Sequence, residues 1–241
     1  SSETETEKLQ VHRTIAKLIC SACMVSLLAA CGGGDGNSNG DGETPNAEEV
    51  LESGANRWEE TETARFRLEI EGETYLDEAE TIRLSEAEGA LVWPASAETD
   101  ASLSAGPVDA DVSLIMIDGD VYMTDLMTGA WGEAPADFSY DPSILLSEDD
   151  GLGSIMRQID EATVERAGDD LVLSGDAPAD AIEPITAGAI ASDSASVPVE
   201  LTFDPETFDL LGIRIDGADD DRWTIELFDH DDAITIERPI E

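Results

Sequence analysis

Between Ala64 and Glu71 the chain alternates strictly: Ala64, Phe66, Leu68 and Ile70 are apolar, while Arg65, Arg67, Glu69 and Glu71 are charged. Successive side chains of a strand point to opposite faces, so this segment can bury one face and must leave the other in water. The same constraint recurs along the chain. Strands are expected near Ile82–Leu84, Ala90–Trp93, Ala101–Ala105, Asp111–Ile117 and Asp120–Thr124, then at Ala162–Arg166 and Asp170–Ser174. Four more are expected to close the chain, at Val197–Phe203, Leu210–Ile215, Arg222–Phe228 and Ala233–Glu237. Asp118-Gly119 separates two apolar runs by two residues, which is a hairpin signal, and Asp216-Gly217 marks another short acidic turn.

Helical signals are fewer. Thr44-Pro45 offers an N-cap followed by a proline in the first turn, for a helix running to about Trp58 with Val50, Leu51, Ala55 and Trp58 near one face. Asp141 to Ile159 reads as helix in two pieces broken at Gly151 and Gly153, and Pro178 to Ile190 as a helix interrupted at Pro184. The sum is an α+β fold with a mainly antiparallel sheet, in one domain spanning 47–241.

The alternation also defines a continuous apolar face. Its in-phase positions are Phe66, Leu68, Ile70, Ala101, Leu103, Val112, Leu114, Met116, Val121 and Met123 in the first half. The second half adds Val199, Leu201, Phe203, Leu211, Ile213, Ile215, Trp223, Ile225 and Leu227. Such a face must meet either helices or a ligand. Three helices of modest length are few for about ten strands, which leaves room for a cavity.

The N-terminus reads as a targeting segment. Lys8, His12, Arg13 and Lys17 precede an apolar run from Leu18 to Ala30, too short to span a bilayer as a helix but of signal-peptide length. It ends in Leu28-Ala29-Ala30-Cys31 followed by three glycines, which resembles the lipobox of bacterial lipoproteins. Residues 1–30 are then a signal peptide on the general secretory route. Cys31 is the lipid-anchor cysteine, and 31–46 is the anchor plus a flexible tether. Cys20 and Cys23 would leave with the signal segment, so the mature chain would hold no free thiol and no disulfide. The tether contains Asp35-x-Asn37-x-Asn39-Gly40, the start of a calcium loop, but its twelfth position is Asn46 where a bidentate glutamate is required.

Charge excludes whole classes of partner. There are 56 acids and 12 bases among 241 residues, a formal net charge of −44. Phosphate backbones and anionic headgroups need clustered lysine and arginine, so nucleic acid is excluded as a partner. Both lysines lie in the first 17 residues, and from Cys31 onward nine arginines face 53 acids. Such a surface repels itself in dilute buffer and is relieved in molar salt, where the Debye length falls to about 3 Å, as in halophilic proteins.

Catalytic chemistry finds little support. After the signal segment the one histidine is His230, expected as a solvated turn residue in Asp229-His230-Asp231-Asp232. Gly153-Ser154 lacks the strand–turn–helix setting of a nucleophile elbow, and no phosphate loop or dinucleotide fingerprint is present. The acid clusters Glu148–Asp150, Asp219–Asp221 and Asp229–Asp232 fall in turns, and their local spacing matches no ordered coordination loop; they are read as surface rather than as a metal site.

A longer pattern does carry a resemblance. It runs from Ile117-Asp118-Gly119-Asp120-Val121-Tyr122 through Thr128-Gly129-Ala130-Trp131 and Ala136-Asp137-Phe138-Ser139-Tyr140-Asp141-Pro142 to Gly151-Leu152 and the turn Glu165-Arg166-Ala167-Gly168. Together with the signal, the tether and the order of elements, it resembles the LppX/LprAFG lipoproteins, envelope lipid carriers of actinobacteria and their relatives. The resemblance implies a strongly curved antiparallel half-barrel with helices on its concave side, enclosing an apolar cavity for acyl chains. It implies no enzymatic activity and no cofactor. Its partners would be an acylated lipid or glycolipid, the membrane through the lipid anchor, and a membrane transporter. The residues assigned to the acyl chains are Phe66, Leu68, Ile70, Ala101, Leu103, Val112, Leu114, Met116, Val121, Met123, Leu201, Phe203, Ile213 and Ile225. Family domains normally contain lysines, so here any headgroup contact falls to arginine. Two further readings stand beside the carrier: a lipoprotein of the same shape acting in signalling or as a chaperone, and an anchored hydrolase.

Overall fold

The computed structural model describes residues 44–75, 82–135, 138, 141–190, 194–218 and 221–239. The signal segment, Cys31, the tether through residue 43, Ala136-Asp137, Ser139-Tyr140 and Asp219-Asp220 lie outside them.

The alternating segments assemble into one sheet of eleven strands. They are β1 (Thr63–Tyr75), β2 (Arg83–Val92), β3 (Ser96–Ala105), β4 (Val108–Ile117), β5 (Asp120–Thr124), β6 (Trp131–Glu133), β7 (Asp160–Ala167), β8 (Asp170–Pro178), β9 (Ser196–Phe203), β10 (Leu210–Asp216) and β11 (Arg222–Phe228). Their order is β6-β5-β4-β3-β2-β1-β11-β10-β9-β8-β7. Two meanders thus meet where the first strand pairs with the last, and the sheet stays open between β6 and β7. All ten pairings are antiparallel. Register puts apolar opposite apolar at the seam: Phe66 faces Leu227, Leu68 faces Ile225 and Ile70 faces Trp223.

Helices cover one face. Helix α1 (Ala47–Glu60) buries Val50, Leu51, Gly54, Ala55 and Trp58, a stripe at helical spacing. A 3-10 turn (Pro142–Leu146) packs against β2 and β3, and α2 (Leu152–Met156) packs against α1. Their apolar side chains join those of the inner sheet face in one core. The C-terminal end of α1 is pinned. Trp58 Nε1 donates to the Leu145 carbonyl at 2.9 Å. Arg57 pairs with Asp209 at 2.7 Å and with Asp231 at 2.6 Å, and Arg157 pairs with Glu59.

Several expectations are corrected, each for a local reason. The helix cap is Asn46, whose side chain accepts from Glu49 N at 2.9 Å; Thr44-Pro45 precedes the helix. The segments at Ile82–Leu84 and Ala90–Trp93 are one strand, β2. A register shift between Leu84 and Glu86 hides the continuity, because a bulge places the buried Leu84 and Ala87 three residues apart instead of two. A second shift, between Leu210 and Gly212, buries Leu210 and leaves Leu211 half-buried, the reverse of the expected phase. The Asp141–Ile159 segment breaks at Ser147 to Gly151, and Gly153 lies inside α2. The expected Pro178–Ile190 helix shrinks to α3 (Ala179–Ile182) followed by turns to Gly188. Pro184 has no N–H to continue the ladder. Ala233–Glu237 is not a strand. Residues 233–239 follow β11 as an extended strap over the outer face, where Ile236 packs with Ile115 and Tyr122. Arg238 then holds the strap through the Tyr122 hydroxyl at 2.8 Å and Asp120 at 2.9 Å.

Candidate functional site: the apolar inner face of the sheet

The inner face is built from the period-two positions of ten strands, β6 being too short to contribute. All fourteen residues assigned to acyl chains fall on it. Eleven are buried in the single core: Phe66, Leu68, Ala101, Leu103, Val112, Leu114, Met116, Leu201, Phe203, Ile213 and Ile225. Ile70, Val121 and Met123 are half-buried and packed against it. In this structure the face is a core packed beneath α1, the 3-10 turn and α2. What the fold establishes is the apolar face, brought together under a thin helical cover.

Side-chain size varies across that face in a way the alternation alone does not reveal. In the middle of β2 and β3 the inward positions are small, between Leu84 and Leu103 at one end and Leu91 at the other. Gly89 lies opposite Thr99, Ala87 opposite Ala101, and Leu91 opposite Ala97. The flanking strands carry larger groups at the same level: Phe66 and Leu68 on β1, Leu114 and Val112 on β4. A patch of small side chains thus lies between larger apolar neighbours, covered by the packing above it, with Ala87, Ala97, Thr99 and Ala101 each at most 3% exposed. Thr99 is the polar group within it, 1% exposed, and sequence reasoning missed it because a threonine fits a strand pattern without drawing notice.

A cleft of mixed polar and apolar lining lies where α1 meets β7. It measures about 410 Å³ and is floored by Leu51, Met156, Ile159 and Ala162 and rimmed by Glu48, Glu52 and Arg157. Its volume falls within the range of roughly 300–1,000 Å³ common for small-molecule sites. These residues come from α1, the end of α2 and β7, which only the tertiary fold brings together.

The outer face has a different chemistry. Arg67 lies between Glu226 at 3.1 Å and Glu88 at 3.8 Å. Beyond it Glu88 stands directly opposite Asp100, two like charges across a strand pair. Serines interleave with the acids: Ser113 donates to Asp100 at 2.5 Å and Ser102 to Asp111 at 2.9 Å. Hydroxyl donors of this kind lower the cost of crowded carboxylates without supplying positive charge.

His230 is not the solvated turn residue expected. It is half-buried, its ring stands edge-on to Trp58 at 6.4 Å, and its Nε2 lies 3.0 Å from the Leu210 carbonyl, so Nε2 carries the proton. It serves to lock the β11 turn against α1, as does Asp231 of the same acidic turn. Among the described residues no group of three metal-ligating side chains converges, and no helix is long and apolar enough to cross a membrane.

Comparison with known proteins bears on this arrangement. The model of the LppX_LprAFG lipoprotein family matches residues 46–236. The lipoarabinomannan carrier protein LprG of Mycobacterium tuberculosis (strain ATCC 25618 / H37Rv) is 26% identical over 155 residues, which is 64% of this chain and 62% of the relative. LprG of Mycobacterium bovis (strain ATCC BAA-935 / AF2122/97) matches to the same extent, so the chain spans about three-fifths of the length of these curated relatives. Among solved structures, LprF from Mycobacterium bovis superimposes with a TM-score of 0.65 at 18% identity, covering 81% of this chain and 97% of that one. Lipoprotein LppX of Mycobacterium tuberculosis gives a TM-score of 0.57 at 10% identity, covering 79% and 98%. At these identities the likeness concerns the fold.

Proposed function

Since this chain belongs to the LppX_LprAFG lipoprotein family, we propose that it binds acylated lipids or glycolipids against the inner apolar face of its sheet and carries them across the cell envelope. The observation that carries this reading is the face itself. Apolar side chains from ten strands converge on one side, and their helical cover is one fourteen-residue helix with a few short turns. Each CH₂ moved from water onto such a surface contributes about 0.8 kcal/mol, so acyl chains bind without a polar recognition set. The name of LprG as a lipoarabinomannan carrier supports a glycolipid as one class of cargo. No catalytic constellation enters this reading, and the protein acts as a carrier rather than an enzyme.

The reading includes an envelope location. Residues 1–30 act as signal peptide, Cys31 carries the lipid anchor, and a tether holds the domain 47–241 at the outer face of the cell membrane, within reach of a transporter. Two chains on one cysteine suffice for stable anchoring.

The test is mass spectrometry of lipids extracted from protein purified from its host, beside the variant Ala101→Trp. Ala101 is buried on the inner face of β3, opposite Ala87 of β2 and Val112 of β4. Wild type carrying about one acylated lipid per chain, and Ala101→Trp remaining folded with a lowered melting temperature and carrying much less, is the expected result. A wild type from its host that carries no lipid overturns the reading.

A further inference from the structure

Most turns of this sheet are acidic. The β4–β5 turn carries Asp118, the β7–β8 turn Asp169, the β9–β10 turn Asp204, Glu206 and Asp209, and the segment after β11 Asp229, Asp231 and Asp232. The β5–β6 turn departs from that pattern. From Leu126 to Gly132 it has no charged residue, and residues 126–130 are all exposed. Two of them are large and apolar: Leu126 is 50% exposed and Met127 92%. Single exposed hydrophobics are ordinary on a protein surface, but an adjacent pair at the tip of a turn marks a contact site.

The tip is held in shape. Asp125 Oδ1 accepts from Met127 N at 3.1 Å, from Thr128 N at 2.8 Å and from Thr128 Oγ1 at 2.8 Å. Across the turn Asp125 N donates to the Ala130 carbonyl at 2.9 Å, and Gly129 N to the Asp125 carbonyl at 2.8 Å. The carboxylate at the base of the turn is therefore bonded to the turn itself, and the two apolar side chains stand out from a fixed backbone.

Register puts a third exposed apolar residue toward the same end of the sheet. Leu114 lies opposite Met123 and Ile117 opposite Asp120, so β5 runs back toward the end where β4 begins. There Val108, 59% exposed, closes the uncharged turn Ala105-Gly106-Pro107-Val108. The remaining large exposed hydrophobic among the described residues is Trp93, at the opposite end of β3, where it lines a cleft with Trp58 and Leu146.

Charge and shape select the partner. With a net charge of −44 the protein is repelled by anionic surfaces, so a membrane contact has to be made through uncharged, apolar side chains. A projecting tip enters the boundary between headgroups and acyl chains without needing a complementary pocket. We propose that the β5–β6 turn inserts Leu126 and Met127 into the interfacial layer of a bilayer with zwitterionic or uncharged headgroups, with Val108 at the border of the contact. This is a second membrane contact, made by the folded domain, and it holds whether or not Cys31 carries an anchor.

The experiment places the photoreactive residue p-benzoylphenylalanine at position 127, or at position 169 in the exposed β7–β8 turn at the other end of the sheet, in the full chain. Each protein is mixed with vesicles of deuterated phosphatidylcholine in 1 M NaCl (about 3 Å Debye length), irradiated, and read by mass spectrometry; the deuterium separates vesicle lipid from any lipid the protein already holds. The lipid adduct at position 127 is expected to exceed that at 169 by about tenfold. Leu126→Ser in the chain labelled at 127 is expected to lower it about three- to tenfold at an unchanged melting temperature, because less apolar surface enters the bilayer. Equal adducts at 127 and 169, or no effect of Leu126→Ser, overturn the proposal. In host membranes, an adduct at position 127 to a protein instead of to lipid overturns it in favour of a protein partner.

Discussion

Gly54 of α1 lies directly against the ring of Phe203 on β9, so close that a Cβ added to Gly54 would collide with Cε1 of the ring. Phe203 is fully buried and cannot swing into solvent. The single long helix is therefore seated on the sheet by the absence of a side chain, and the depth of the helical cover is set at this point.

Replacing Gly54 by alanine tests that seating. In an exposed helix interior the change would stabilise by about 1 kcal/mol. Here overpacking is expected to outweigh this and to destabilise by about 1–3 kcal/mol in denaturant melts. Shrinking the ring in the double variant with Phe203→Leu is expected to recover part of the loss as a coupling energy. A Gly54→Ala protein as stable as wild type would show that the helix stands off the sheet.

Salt is expected to raise the melting temperature. The net charge is −44, and Glu88 and Asp100 face one another across β2 and β3 with Arg67 on the far side of Glu88. Screening weakens the exposed ion pairs, but it relieves a larger excess of repulsion among acids. Thermal melts from low to molar NaCl check the trend. Asp100→Asn is expected to raise the low-salt melting temperature and shorten the rise. A melting temperature independent of salt would contradict a halophilic surface.

Acid is expected to loosen the contact between α1 and the β11 turn. Burial favours the neutral form of Asp231, but the Arg57 hydrogen bond at 2.6 Å and the Glu62 N–H at 2.8 Å outweigh it and hold its pKa below the usual carboxylate range. A depressed folded pKa stabilises the fold above the unfolded value near 3.9, and the benefit fades as pH falls through the folded value. Asp216 behaves alike: burial raises it, and Arg222 at 2.6 Å with Arg214 at 3.2 Å bring it lower. Asp231→Asn is expected to lower stability at pH 7 and to flatten its decline below about pH 4. An unchanged acid limb would mean that Asp231 does not carry this dependence.

Anchoring is expected to depend on Cys31. In a host that processes lipoproteins, Cys31→Ser is expected to leave the membrane fraction or to accumulate with its N-terminal segment uncut. Wild type found at the membrane with residues 1–30 still attached would contradict the lipobox reading.

The alternation at Ala64–Glu71 and its repeats determined by themselves that this chain forms an antiparallel sheet with one apolar face. A strand has only two faces, so a period of two leaves no other way to bury those side chains. Asp118-Gly119 fixed one hairpin because few residues accept its backbone angles, and Asp118 and Gly119 both sit at positive φ. The family resemblance was also legible, in the order and spacing of elements from Ile117 to Gly168. Tertiary structure decided the rest. The bulges at Leu84/Glu86 and Leu210/Gly212 shift the phase of a strand through pairing with its neighbours, which no single segment encodes. The 233–239 strap reads as a strand locally, but it meets the outer face of β4 and β5 instead of a sheet edge. The patch of small side chains at Ala87, Gly89, Thr99 and Ala101 exists only because β2 and β3 pair in this register. Whether a buried hydroxyl finds a partner is likewise a property of what the fold brings against it, and among the described residues the Thr99 Oγ1 has none.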